Sequence, residues 1–200
     1  MSQDSGVKLR KRPRQARAAA TVDSVVEAAA RILECGGLGA FNTNAVAALA
    51  GVSIGSLYQY FPGKDAIMAA LVHREAQAFD EALALAMAKL KNLGTASAVA
   101  QLAKVAVVHQ TTRPGLSRIL DLEEQRLGLG RHVAAANART GGAIADFLAE
   151  RRLGGMQAAG DVQSLSRGLI DGALDRGDLQ GLEQRLTWAI LGYLALSRQA

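Results

Sequence analysis

The sequence predicts an all-α protein of about nine or ten helices, and three observations predict it. Apolar residues recur at steps of three and four along most of the chain, the period of helices that bury one face. Gly- and Pro-containing turn signals punctuate these stretches at helix-length intervals. β-branched and aromatic residues are sparse after residue 110, so no stretch there has the composition or alternation of a strand.

Half of the 200 residues are apolar and 20% are charged, enough to bury a core in one or two small domains without disulfides. The single cysteine, Cys35, has no partner in the chain. It falls in an apolar helical pattern and reads as a small buried hydrophobe in a reducing compartment. No apolar run reaches the roughly 18 residues needed to cross a bilayer, and the N-terminus lacks the apolar stretch of a signal peptide. The expectation is a soluble, cytoplasmic protein that does not engage a membrane.

Charge is unevenly placed. Lys8, Arg10, Lys11, Arg12, Arg14 and Arg17 face only Asp4 within residues 1–20, a net +5, while the other 180 residues carry 17 charges of each sign. The excess therefore belongs to a basic flexible arm, residues 1–20. KLRKRPRQAR has one large apolar residue and Pro13 interrupts any long helix, so the arm suits contact with phosphates better than an apolar dip into lipid.

The first helix is expected from Thr21 to Cys35, with Val22, Val25, Val26, Ala29, Ile32 and Leu33 on its inner face, and Gly36-Gly37 ending it. Asn42 or Thr43 can cap a second, Ala-rich helix that stops at Gly51. Ser53 caps a third, which lasts only to about Phe61 because Pro62 disfavours helical geometry in the residue before it. Leu57 and Phe61 are four apart and share its inner face; Ile54, Gly55, Tyr58 and Gln59 point elsewhere. A long helix follows from Lys64 past Leu90, carrying Ile67, Leu71, Phe79, Leu83, Met87 and Leu90 inward. Five further helical segments lie between turn signals at residues 92–94, 113–115, 128–130, 154–155, 160, 176–177 and 181.

Two short helices joined by Gly51-Val52-Ser53, preceded by a basic arm, form a helix-turn-helix. A helix that enters the major groove must be short, held at a fixed angle and bare on one face. Ile54 suits a thymine methyl, and Gly55 lets the backbone come close. Ser56 and Gln59 suit base edges or phosphate, and the Tyr58 and Tyr60 hydroxyls suit phosphate. Lys64, at the start of the next helix, can meet a phosphate together with free backbone N–H groups. Core packing alone explains a leucine and aromatics at helical spacing, but it requires neither the cap, the two-turn length, the outer glycine nor the arm.

Over residues 21–71 the chain resembles the DNA-binding domain of the TetR family of bacterial transcriptional regulators. AGVSIGSLYQYFPGKDAI carries the resemblance: a GVS turn, an LYxYF recognition helix, and a lysine with an acidic neighbour. The resemblance implies a homodimer on a near-palindromic double-stranded DNA operator, acting as a repressor and released by a small-molecule effector, with no cofactor and no enzymatic activity. It implies that Thr43, Asn44, Ser53, Ile54, Gly55, Ser56, Tyr58, Gln59, Tyr60 and Lys64 face DNA. It divides the chain into a DNA-binding domain over residues 21–65 and a regulatory and dimerisation domain over residues 66–200. Ile54 stands where many relatives have lysine, and Ala45 and Leu49 are less charged than usual, so the motif indicates no operator sequence.

In the C-terminal part, apolar stripes run along residues 161–176 and 182–198. Ser164, Gly168 and Gly172 recur every fourth residue, and Gly192 lies beside Trp188. Each helix-interior glycine costs about 1 kcal/mol relative to alanine, which a close helix approach would offset. The expectation is that residues 161–198 pair with their symmetry mates as a four-helix bundle. Gly141-Gly142 should kink or loosen the helix that contains them. His109, Gln110, His132 and Asn137 are polar candidates for an effector pocket, none of which stands out. Glu123-Glu124 reads as a solvated charge pair. Gly128-Leu129-Gly130 has no preceding strand, and the three histidines lack the spacing of a metal site or of a nucleophile's partner.

Overall fold

The computed structural model describes residues 16–197, and the backbone alone for residues 16–17 and 130–137. Most of the basic arm, together with the side chains of Arg17, His132 and Asn137, lies outside the described residues. The described chain forms nine helices and no strand: α1 (Ala16–Ala40), α2 (Thr43–Ala50), α3 (Ile54–Tyr60), α4 (Lys64–Met87), α5 (Thr95–Thr112), α6 (Pro114–Arg126), α7 (Gly130–Glu150), α8 (Met156–Arg176) and α9 (Leu182–Leu196). They divide between two compact units. One holds the chain up to Ala76 with Gly115–Val133, and the other holds Gln77–Pro114 with Ala134–Ala200.

The first unit forms around the inner faces of α1 to α4. Val25, Val26, Ala29 and Leu33 of α1 meet Val46 and Ala47 of α2, Leu57 of α3 and Ile67, Met68 and Leu71 of α4. The alanine run Ala18-Ala19-Ala20 extends α1 upstream of Thr21, as its high helix propensity favours. Gly37 interrupts the helical run with φ 62 and ψ −165, a conformation costly for residues with a Cβ. The unit also takes in a segment from much later in the chain. Leu116 and Leu120 of α6, with Leu129, are buried in the same core. The unit that contains the helix-turn-helix thus extends past residue 65.

The second unit packs α5, α8 and α9 together, with Val99, Ala103 and Val107 of α5, Val162, Ile170 and Ala173 of α8, and Leu182, Leu186, Ile190 and Leu194 of α9 in one core. Phe147 and Leu148 of α7 join it. Arg151 lies over the Phe147 ring at 4.2 Å and donates to the carbonyl oxygen of Leu90 at 2.9 Å. That bond satisfies a carbonyl just past the end of α4, which stops at Met87 rather than beyond Leu90.

Tyr193 ties α9 to α8 by donating its hydroxyl to Asp161 Oδ2 at 2.5 Å. The carboxylate acceptor holds the phenolic proton, so the group titrates above its ordinary value of 10.0. Because the folded-state value is the higher one, the stabilisation is fully present below about pH 10 and is lost as pH rises through the folded-state value. Thermal melts above pH 10 are expected to show a fall in stability for the native chain that is smaller in Tyr193→Phe. Identical alkaline slopes would show that the bond does not persist.

Three further expectations are corrected. Cys35 is exposed, because it stands four residues after Arg31 and eight after Glu27 on the outer face of α1. Glu123 is 6% exposed and accepts from Arg126 Nε at 2.8 Å, so it is a buried, paired carboxylate rather than a solvated one. Finally, Gly160 lies inside α8 and ends no element. Helix α7 runs through Gly141-Gly142. A Cβ at Gly141 would stand 3.2 Å from the side-chain Oε1 of Gln163 on α8.

Candidate nucleic-acid interface

The turn between α2 and α3 is built from adjacent local signals. Asn42 takes an extended conformation and its side chain accepts from the Ala45 N–H at 2.9 Å, which opens α2. Gly51 closes it in the left-handed region at φ 68. The Val52 N–H donates back to the Ala47 carbonyl at 3.0 Å, completing a Schellman-type stop. Ser53 then caps α3, its hydroxyl accepting from the Ser56 N–H at 3.0 Å.

Within α3, Leu57 and Phe61 are 0% exposed and anchor the helix to the core of the first unit. On the other side Ile54 is 39% and Tyr58 41% exposed, and Gly55 and Gln59 are exposed beside them. A Cβ at Gly55 would find only Ser53 Oγ, at 3.9 Å, so packing does not require the missing side chain there. The outer face is bare and shallow.

Around this face the other candidates fall as follows. Asn44, in the first turn of α2, is exposed, and Thr43 is half-buried. The Thr43 Oγ1 and Tyr58 hydroxyl stand 3.2 Å apart, so two hydroxyls from different helices can reach one phosphate oxygen. Ser53 is exposed and Ser56 half-buried, their hydroxyls 2.8 Å apart. Tyr60 differs from Tyr58, since its ring is half-buried and packs on the core. Lys64 is exposed at the first position of α4.

Two features of the site escape sequence reasoning. The hydroxyl pair of Thr43 and Tyr58 spans fifteen positions, and no local pattern indicates it. Asp65, beside Lys64, accepts from Arg126 Nη2 at 2.6 Å, a partner 61 positions away. Among the described residues no group of His, Cys, Asp and Glu is arranged to hold a metal ion. No helix of the described residues is long and apolar enough to cross a membrane.

Comparison with known proteins agrees with this geometry. Residues 25–71 match the family model of bacterial regulatory proteins of the tetR family. No curated protein matches the sequence. Among solved structures, a chain from Mesorhizobium loti MAFF303099 assigned to the TetR family of transcriptional regulators superposes with a TM-score of 0.70 at 17% identity, over 91% of this chain and 98% of that one. SmeT, the repressor of the Stenotrophomonas maltophilia multidrug efflux pump SmeDEF, gives 0.63 at 18% identity over 90% and 91%; it has also been solved as a triclosan complex. The multidrug binding protein EbrR, complexed with imidazole, gives 0.63 at 21% identity over 83% and 92%. The matched family is one of regulatory proteins, not enzymes. Residues 25–71 of this chain thus resemble the bacterial tetR regulatory proteins, and the described chain as a whole shares the all-helical fold of these solved TetR-family structures.

Proposed function

We propose that the chain is a homodimeric repressor that lays α3 in the major groove of a near-palindromic operator and is released by a small molecule held in its second unit. The observation that carries this reading is the two-sidedness of α3. Leu57 and Phe61 are wholly buried while Ile54, Gly55, Tyr58 and Gln59 present an open face. A recognition helix needs that division, because its own packing must leave the reading face free. Ile54, Ser56 and Gln59 contact base edges. Thr43 and Tyr58, with Asn44, Ser53, Tyr60 and Lys64, position the helix on the backbone.

Two half-sites one helical turn apart call for a two-fold dimer. The pairing surface lies in residues 161–198. A Cβ at Gly168 or Gly192 would meet nothing within 4 Å, and Trp188 is 61% and Leu165 38% exposed. Gly168 and Gly192 therefore have no close partner within the described chain, and a second copy supplies one. The ligand complexes of SmeT and EbrR support a small-molecule effector. Such an effector acts by binding the DNA-free conformation more tightly than the DNA-bound one.

Selection of genomic duplex fragments by the full chain tests the reading, with symmetric recovered sites as the expected result. Tyr58→Ala and Gln59→Ala are expected to leave the dimer and the helix content unchanged. Gln59→Ala removes a side chain that reads a base edge, at a cost of about 1–3 kcal/mol of discrimination, roughly 5- to 150-fold, and Tyr58→Ala removes a backbone contact that positions the helix. Fluorescence anisotropy with recovered and scrambled duplexes measures it. Retained preference in the double variant would move the reading face away from α3.

A further inference from the structure

The ion cluster at the start of α4 does more than join two helices. Arg126, in the last turn of α6, directs Nε and Nη2 to Glu123 Oε2 at 2.8 and 2.7 Å. The same Nη2 reaches Asp65 Oδ1 at 2.6 Å, and Nη1 stands 3.5 Å from Oδ2. Glu123 is one of two buried polar or charged side chains among the described residues, and a buried carboxylate keeps its cationic partner in place. Glu123 thus fixes the guanidinium whether or not Asp65 is present, and the remaining edge of the fork faces Asp65. Both carboxylates favour the charged guanidinium and raise its pKa above the ordinary arginine value, Glu123 being the larger cause.

The pair with Asp65 is poorly placed to stabilise the fold. Arg126 and Asp65 side chains are 48% and 43% exposed, and ion pairs so exposed contribute little. Its geometric effect is larger. Lys64 and Asp65 form the first turn of α4, just after Pro62-Gly63, and α6 is anchored in the same core by Leu116 and Leu120. The ion pair therefore ties the outer side of that turn to an element that is itself fixed.

We propose that Arg126 is a positioning residue for DNA binding: by holding the Asp65 carboxylate it orients the first turn of α4 so that the neighbouring Lys64 ammonium meets a phosphate. This rests on the reading of α3 and Lys64 as the DNA face. A purely electrostatic role makes the opposite prediction. Removing the Asp65 charge beside an anionic duplex would tighten binding, whereas loss of orientation weakens it.

The test uses the full chain and a duplex that the native protein recovers from a randomised pool, with affinities measured by fluorescence anisotropy between about 50 and 200 mM salt, the interval over which phosphate contacts register strongly. Asp65→Asn is the deciding variant, because Arg126→Gln strands the buried Glu123. Asp65→Asn is expected to bind about 10-fold more weakly, as for loss of a charge-assisted hydrogen bond. Its log–log salt slope should be shallower by about one per protomer, matching Lys64→Ala. Adding Arg126→Gln to Asp65→Asn should leave that slope where it is. A change in fold stability alone would lower affinity without altering the slope. Equal or tighter binding by Asp65→Asn, or weaker binding at an unchanged slope, overturns the inference and leaves the functional reading standing. A native chain that recovers no duplex overturns the functional reading itself.

Discussion

Phe61→Ala is expected to cost the first unit about 3–5 kcal/mol, the range for deleting a fully buried aromatic ring. The ring is 0% exposed and packs in the cluster with Leu57, Val46 and Ile67. The residue also ends α3, its N–H donating to the Leu57 carbonyl at 2.9 Å. A domain's whole stability is about 5–15 kcal/mol, so the substitution removes a large fraction of it. Thermal or denaturant unfolding followed by circular dichroism should show the melting point lowered by more than about 10 °C. Tyr58→Ala, on the exposed face of the same helix, should lie within about 1 kcal/mol of the native chain. Equal effects at the two positions would refute the inward and outward division of α3, and with it the DNA-reading surface.

A bulky residue at Gly192 or Gly168 is expected to break the dimer without harming the monomer. Each glycine sits inside a helix, α9 or α8, with open space where a Cβ would stand. Within a lone chain, Gly→Ala at either site should stabilise by about 1 kcal/mol through helix propensity. Against a second copy the added atoms overpack a close helix contact at about 1–3 kcal/mol, felt twice by symmetry. Gly192→Leu should therefore raise the dimer dissociation constant by roughly 30-fold to 10⁴-fold. Sedimentation over a dilution series reads the assembly, and a melt under monomeric conditions reads the fold. A Gly192→Leu and Gly168→Leu chain that still dimerises like the native one would place the pairing surface elsewhere.

The helix-turn-helix is legible in the sequence because its instructions are short-range. Ser53 caps a helix three residues on, Gly51 permits one left-handed residue, and Leu57 and Phe61 share a face by helical period alone. The five later helices are legible for the same reason, as periodic segments between breaks. What cannot be read depends on partners distant in sequence. Leu116, Leu120 and Leu129 look like any inner stripe of a C-terminal helix, and nothing in their pattern assigns them to the first unit. Arg126 has a local signal toward Glu123 at three residues' spacing, masked because two adjacent glutamates suggest solvent, and no signal toward Asp65. Composition misplaces Cys35, although its spacing from Arg31 and Glu27 puts it outward. At Gly141-Gly142, α7 continues as one helix despite the low helix propensity of two glycines.

The burial of Leu116, Leu120 and Leu129 beside α1 to α4 sets an order of events during synthesis. The chain leaves the first unit at Ala76, lays down α5, and returns with α6 before departing again. A ribosome that has released α3 and all of α4 has still not delivered the last wall of their housing. No single cleavage separates the two units, and the first unit is finished only after the segment through Leu129 has emerged.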